Sequence, residues 1–256
     1  QTQSEYQSNV EKIKEKIAAG DIYQVNLCRV LSTKSKQPLQ GLANRLQQDN
    51  PAPFASYLRL PNLEIASASP ELFLKRDGAM IKSTPIKGTS KTDNFGDKDR
   101  AENVMIVDLM RNDFGSICES GSVDVPRLLA SEAHPGLIHL VSDVVGRLRE
   151  NIKWREIVKA LLPAGSISGA PKSSALKSIS EIEKVARGPY CGVIGWVQGE
   201  QAVLSVGIRI FWSHGDGQLN FGTGAGITWA SQPQGEWEET ELKAKRLISI
   251  ASGVLV

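Results

Sequence analysis

Cysteine, histidine and net charge are all scarce in this chain. Its three cysteines, Cys28, Cys118 and Cys191, contain no CxxC pair and form no even framework. That argues against a disulfide scaffold and a zinc site, and it fits a reducing, cytoplasmic setting. The formal net charge is only +2, with no long basic run. A nucleic-acid-binding face is therefore not expected. No apolar stretch reaches the roughly 18 residues of a membrane span, and no signal peptide is visible. The chain starts at Gln1 rather than Met, so a processed chain or a fragment is expected. What remains is ordinary for a globular protein with a real core: 41% apolar and 23% charged residues. There is no internal repeat, low-complexity tract or linker.

The hydrophobic pattern predicts mixed helix and strand. Val10, Ile13 and Ile17 are spaced for a helix over 9–19, ended by Gly20. A strand follows over 23–31. Residues 63–84 read as strands around an Asp77-Gly78 turn, a strong hairpin signal. A two-residue loop there pairs Arg76 with Ala79 and Glu71 with Thr84. Lys87 lies three residues further on, so Glu71 and Lys87 are expected at the same end of one hairpin. Residues 98–112 form a helix that is apolar on most sides in its middle, so it is expected to be buried. Asp108 within it needs a partner, for which Arg111 is in reach. Helices are predicted near 153–162 and 171–186. A second hairpin over 203–224, turning near 214–217, puts Arg209 roughly opposite Gly222 to Gly224. A final helix covers 234–252.

Two acidic pairs stand out. Asp99 and Glu102 are three apart at the start of one predicted helix, and Glu236 and Glu239 at the start of another. Residues at i and i+3 share a helix face. If two such faces meet, they make an oxygen-rich site for a hard cation such as Mg²⁺. The plainer reading is that acids complement a helix N-terminus. Residues 221–227, FGTGAGI, are glycine-rich and suit an anion or a flexible strand end. Residues 165–173, GSISGAPKS, are not a phosphate loop, because Ala170 and Pro171 separate Gly169 from Lys172. Lys87 lies in a turn between Pro85 and Gly88. A nucleophilic lysine must be neutral, which requires burial or a nearby cation. Glu71 can be a general acid or a salt-bridge partner. His139, among apolar neighbours, reads as a core histidine.

These residues together resemble a known family. GDIYQVN at 20–26, SPE at 69–71, PIKGT at 85–89, DRAEN from 99 with IVDLMRND to 113, HLVS at 139–142, GSISGAPK at 165–172, GIRI at 207–210, GTGAGI at 222–227 and EWEET at 236–240 occur in family order. The chain is similar to the chorismate-binding domain of anthranilate synthase, aminodeoxychorismate synthase component I, isochorismate synthase and salicylate synthase. The resemblance runs from about Gly20 to the C-terminus. It implies an α+β fold of two packed antiparallel sheets with helices outside, and one catalytic domain over residues 1–256. The family's chains are usually longer, with N-terminal strands in the same sandwich, so a fragment or a naturally short form is expected. The connection from Thr89 to Lys98 is also shorter than the family's acidic segment.

The resemblance assigns roles residue by residue. Glu102 and Glu239 match Mg²⁺ ligands, and Asp99 and Glu236 match acids that hold metal-bound water. Tyr190, Arg209, Gly224, Gly226 and Lys243 match positions that bind the substrate's carboxylates, and Ser166 lines the same pocket. Thr89 belongs to the same substrate-binding set. Glu71 matches the general acid that helps the ring 4-hydroxyl leave, and His139 stands beside that group. Gln24 takes the place of the lysine base of water-adding members, which argues against isochorismate and salicylate synthesis. Lys87 takes the place where anthranilate synthases typically have alanine and aminodeoxychorismate synthases have a nucleophilic lysine. The expected substrates are chorismate and ammonia, with a glutamine amidotransferase subunit as partner. Anthranilate synthase and an inactive binding fragment are the alternatives.

Overall fold

The computed structural model describes residues 1–90, 92–134 and 137–253, without the side chains of Thr89, His134 and Leu137. In chain order the elements are α1 (Gln3–Ala18), β1 (Gln24–Lys34), α2 (Leu39–Asp49), β2 (Phe54–Leu60), β3 (Leu63–Ser69), β4 (Leu72–Asp77), β5 (Met80–Thr84), β6 (Ile86–Ser90), α3 (Asp97–Gly115), β7 (Asp124–His134) and β8 (Leu137–Arg147). They continue with α4 (Trp154–Leu161), α5 (Gly165–Ser168), β9 (Gly169–Ala170), α6 (Lys172–Ile182), β10 (Val193–Gln198), β11 (Gln201–Val206), β12 (Ile210–Ser213), β13 (Gln218–Ile227) and α7 (Pro233–Ser252). The fold is α+β with two antiparallel sheets, and the chain divides into two compact units. Among the described residues, no helix is long and apolar enough to cross a membrane.

The first unit comprises Gln1–Pro70, Ile167–Gly192 and Gly207–Val256. Its sheet runs β2-β3-β12-β13-β1-β9. β1 alternates with period two, and its partner in β13 alternates with it. Val25 and Leu27 sit opposite Ile227 and Ala225. All four join Tyr6, Val10 and Ile13 of α1 and Ala175 and Ile182 of α6 in one buried cluster. Each valine, leucine or isoleucine among them contributes about 1.5–3 kcal/mol when fully buried. A second cluster sets Leu42 and Leu46 of α2 and Leu247 and Ile250 of α7 with Ala66, Ala68, Phe211 and Phe221. α1 begins six residues before the predicted start. Thr2 and Glu5 form a reciprocal cap, Glu5 N–H donating to Thr2 Oγ1 at 3.3 Å and Thr2 N–H to Glu5 Oε2 at 2.9 Å.

The second unit comprises Glu71–Ser166 and Val193–Val206. Its sheet runs β10-β11-β4-β5-β8-β6, with β7 on the other edge of β8. β5 and β6 lie end to end along β8, Ser83 facing Val144 and Ile86 facing Val141. They are interrupted at Pro85, whose carbonyl accepts from Ser142 N–H at 3.3 Å. α3 buries one stripe, Asn103, Ile106, Val107, Met110 and Phe114.

Three expectations need correction. The first hairpin turns around Gly78-Ala79, not Asp77-Gly78, since Asp77 pairs with Met80. Gly78 takes the left-handed conformation, φ +61°. A shift in the ladder then sets Leu72 opposite Thr84, so Glu71 and Lys87 still lie towards the same end of the hairpin. Residues 203–224 are not one hairpin: β11 pairs with β10 and β4, whereas β12 pairs with β3 and, across the expected turn at 214–217, with β13. Alternation marks both strands but carries no information about which sheet each joins. The apolar stretch of α3 is not buried on most sides. Asp108 is exposed, and Arg111 Nη1 donates to its Oδ1 at 3.0 Å.

Candidate active site

In the second unit, β6 carries Lys87 one residue after Ile86 and two before Thr89, which pairs with His139 of β8. The ladder shifts between Ile86 and Thr89, and Gly88 stands there at φ +84°. A Cβ at Gly88 would lie 3.1 Å from Asp99 Cβ, 3.2 Å from Phe95 and 3.3 Å from Leu140. Only glycine combines that conformation with so close an approach. The sequence thus brings the Lys87 strand against the first turn of α3. Lys87 Nζ, half-buried, donates to the Ser166 carbonyl of α5 at 3.0 Å. Ser166 Oγ is buried and makes no hydrogen bond. A buried hydroxyl without a partner is costly, so it marks a place for a ligand group. Glu71 and His139 are buried, and the Thr89 side chain lies outside the described residues.

In the first unit the glycine-rich stretch is neither a loop nor a flexible end. It is the body of β13, with Gly222, Gly224 and Gly226 opposite Val30, Cys28 and Asn26. These glycines leave one face of the strand bare, while Thr223, Ala225 and Ile227 occupy the other. Tyr190 lies on the bare face: a Cβ at Gly222 would be 2.1 Å from its Cγ. Burial holds the Tyr190 phenol well above the ordinary tyrosine range, so it remains a neutral donor. Gln24 is 1% exposed, and neither end of its amide makes a hydrogen bond. That orphaned amide is the unit's clearest sign of a missing partner. Arg209 stands at φ +52°, a strained conformation of the kind that gathers at functional sites. It immediately precedes β12, whose ladder with β13 pairs Phe211 with Phe221 and Trp212 with Asn220 and does not include Arg209.

The four candidate metal acids stand in the first two turns of α3 and α7. Asp99 Oδ2 accepts from Gly96 N–H at 3.3 Å, which is the plain capping role. Glu102 is half-buried, 3.8 Å from Lys98 Nζ. Glu236 is 3% exposed, and its Oε1 accepts from Ser231 Oγ at 2.5 Å. Glu239 Oε1 accepts from Lys243 Nζ at 2.5 Å, and the same amine reaches the Gly224 carbonyl at 3.2 Å. Among the described residues of either unit, no three His, Cys, Asp or Glu side chains gather at metal-ligand spacing. Carboxylates are the oxygen donors Mg²⁺ takes, and burying one such as Glu236 favours a nearby cation. Each pair thus offers the type of donor atom that Mg²⁺ takes.

Sequence reasoning missed the groups that hold these residues in place. Asn103, next to Glu102, donates to the Leu140 carbonyl at 3.1 Å and accepts from Ser142 Oγ at 2.5 Å. Arg187 pairs with Glu183 at 2.7 Å and donates to the carbonyls of Ile167 and Asn26, each at 2.8 Å. Arg29 is buried beneath α7. A polar residue in an otherwise apolar pattern was the available signal in each case.

The chain superimposes on anthranilate synthase component I from Streptococcus pneumoniae TIGR4 with a TM-score of 0.89 and 30% identity, covering 96% of this chain and 58% of that one. The fold is therefore that of the component I proteins. Residues 1–249 match the family described as chorismate binding enzyme, and the chain belongs to that family. It is 37% identical over 262 residues to anthranilate synthase component 1 of Aquifex aeolicus (96% of this chain, 53% of that protein). It is 39% identical over 264 residues to aminodeoxychorismate synthase component 1 of Escherichia coli (96% and 57%). The chain spans about half the length of these relatives.

Proposed function

We propose that this chain acts as component I of an aminodeoxychorismate synthase, converting chorismate and ammonia to 4-amino-4-deoxychorismate. Lys87 carries the reading. It is a half-buried amine on a strand paired with the His139 strand, oriented by the Ser166 carbonyl at 3.0 Å. The amine of Lys87 attacks C2 of chorismate. Both ring double bonds shift, from C1=C2 and C5=C6 to C1=C6 and C4=C5, and the C4–O bond breaks, with Glu71 giving its proton so that water leaves. Ammonia then forms a bond to C4, both double bonds shift back, and the C2–N bond breaks to release Lys87. A proton from the incoming ammonia restores Glu71 through solvent. His139 stands beside the leaving hydroxyl. Tyr190, Arg209, Gly224, Gly226, Lys243, Ser166, Thr89 and Gln24 hold the substrate, and a neutral tyrosine and an arginine fork suit its two carboxylates.

Asp99, Glu102, Glu236 and Glu239 are the residues that would hold Mg²⁺. When bound, the ion supplies positive charge for a substrate carboxylate. Relatives named component 1 support a glutamine amidotransferase partner as the ammonia source. The expected site of action is the cytoplasm, within p-aminobenzoate synthesis.

The test is a reaction with chorismate, Mg²⁺ and ammonium at mildly alkaline pH, resolved by chromatography with mass detection. Wild type should yield aminodeoxychorismate. Lys87→Ala should abolish it while chorismate binding persists, and unchanged turnover in that variant sinks the covalent route. Anthranilate from the wild type would replace the reading with anthranilate synthase. Binding without any product would leave a binding module.

A further inference from the structure

We infer that Arg29 is a positioning residue that sets the geometry of Glu236 and Glu239. The inference rests on the magnesium-dependent reading of those acids. α7 is held differently along its length. Its second half docks by apolar burial, with Ala244, Leu247 and Ile250 in a core cluster. Its first half carries both acids and brings one packed apolar side chain, the partly buried Trp237.

That first half is gripped from β1 and β13. Arg29 lies on the same face of β1 as Val25 and Leu27, where an apolar residue would continue the pattern. Its side chain is 3% exposed. Its Nε donates to Thr240 Oγ1 at 3.0 Å, and its Nη2 reaches Glu241 Oε1. The guanidinium lies over the Trp237 ring, 4.0 Å from the centroid, and Tyr6 meets that ring edge-on at 5.7 Å. Thr223, the cross-strand partner of Arg29, donates to the Thr240 carbonyl at 3.0 Å. Three contacts of one planar cation thus fall on residues 237, 240 and 241, the turn that contains Glu239 and follows Glu236. A stacked, forked contact fixes both the rotation and the height of a helix turn, which an apolar contact does not.

Arg29→Met keeps the stem and removes the fork. Glu241 is more than half exposed, so it returns to water and the chain should stay folded. Two measurements on the full chain test the role. Amide hydrogen exchange without metal should quicken about tenfold over 234–241 and stay unchanged over 244–251. Mn²⁺ affinity, read by electron paramagnetic resonance, should weaken about tenfold, the usual scale for groups that orient metal ligands. Arg29→Lys keeps the charge without the fork and should fall between, and it serves if the methionine variant fails to fold. Wild-type exchange over 234–241 in both variants overturns the inference, as does equal loosening along all of α7. Glu239→Gln separates the two ideas. If it weakens Mn²⁺ binding and Arg29→Met does not, the positioning role fails and the metal reading stands. If Glu239→Gln leaves the affinity unchanged, the metal reading fails and takes the inference with it.

Discussion

Adding one methyl group at Gly222 tests the central packing of the candidate site. The new Cβ would stand 2.1 Å from Tyr190 Cγ and 2.5 Å from both Cδ atoms. Carbon atoms in contact lie about 3.5–4.0 Å apart, so the ring must move by more than about 1 Å. It has little room, because it is buried and its backbone is tied down. Cys191 N–H donates to the Gly207 carbonyl at 2.8 Å, and Gly207 N–H to that of Gly192 at 2.7 Å. Overpacking of this kind costs about 1–3 kcal/mol, and so large an overlap belongs at the upper end. Alanine in a strand recovers about 0.5–1 kcal/mol relative to glycine. Gly222→Ala should therefore destabilise by about 2 kcal/mol. In a Tyr190→Ala background the clash is gone, and the same substitution should be neutral or stabilise by about 0.5–1 kcal/mol. Denaturant unfolding of the four proteins gives the coupling, expected near 2–3 kcal/mol. An equal cost in both backgrounds would refute the argument that the Tyr190 ring is what requires glycine at 222.

Two further outcomes follow from the buried ionisable groups. Burial raises the Asp143 carboxyl, but donors from Arg127, Lys82 and Thr84 outweigh it and hold its pKa below the ordinary range. A lowered folded pKa gives stability that is complete above the unfolded value of about 3.9 and is lost as pH falls through the lowered one. Asp143→Asn should cost about 1.5–3 kcal/mol at neutral pH, and the cost should shrink as pH falls below about 3.9. Unfolding midpoints that show a pH-independent cost would contradict this. The cysteines should be unreactive in the native protein. Burial pushes Cys118 up to about 11, and burial together with Cys191 lifts Cys28 well above the ordinary thiol range. An aromatic disulfide reagent near pH 8 should label them slowly until denaturant is added. Fast labelling of either in the native state would overturn that assignment.

The sequence by itself determined the family and most helices. Helix α7 was legible from 234 to 252 and runs from Pro233 to Ser252, because helical hydrogen bonds are local and their periodicity is written in neighbouring residues. The motifs also marked the acids and Lys87, whose side chains are named by order along the chain. α2, β7 and the β10–β11 hairpin escaped notice, although Leu39, Leu42 and Leu46 of α2 keep helical spacing and β10 and β11 are rich in apolar residues. Tertiary structure decided the rest. Whether β11 and β12 share a sheet depends on partners far away in sequence, as does the bare glycine face of β13. So do the exposure of Asp108 and the burial of Arg29. A side chain's period tells which face it occupies, but only the packed neighbour decides whether that face meets water, a helix or a substrate.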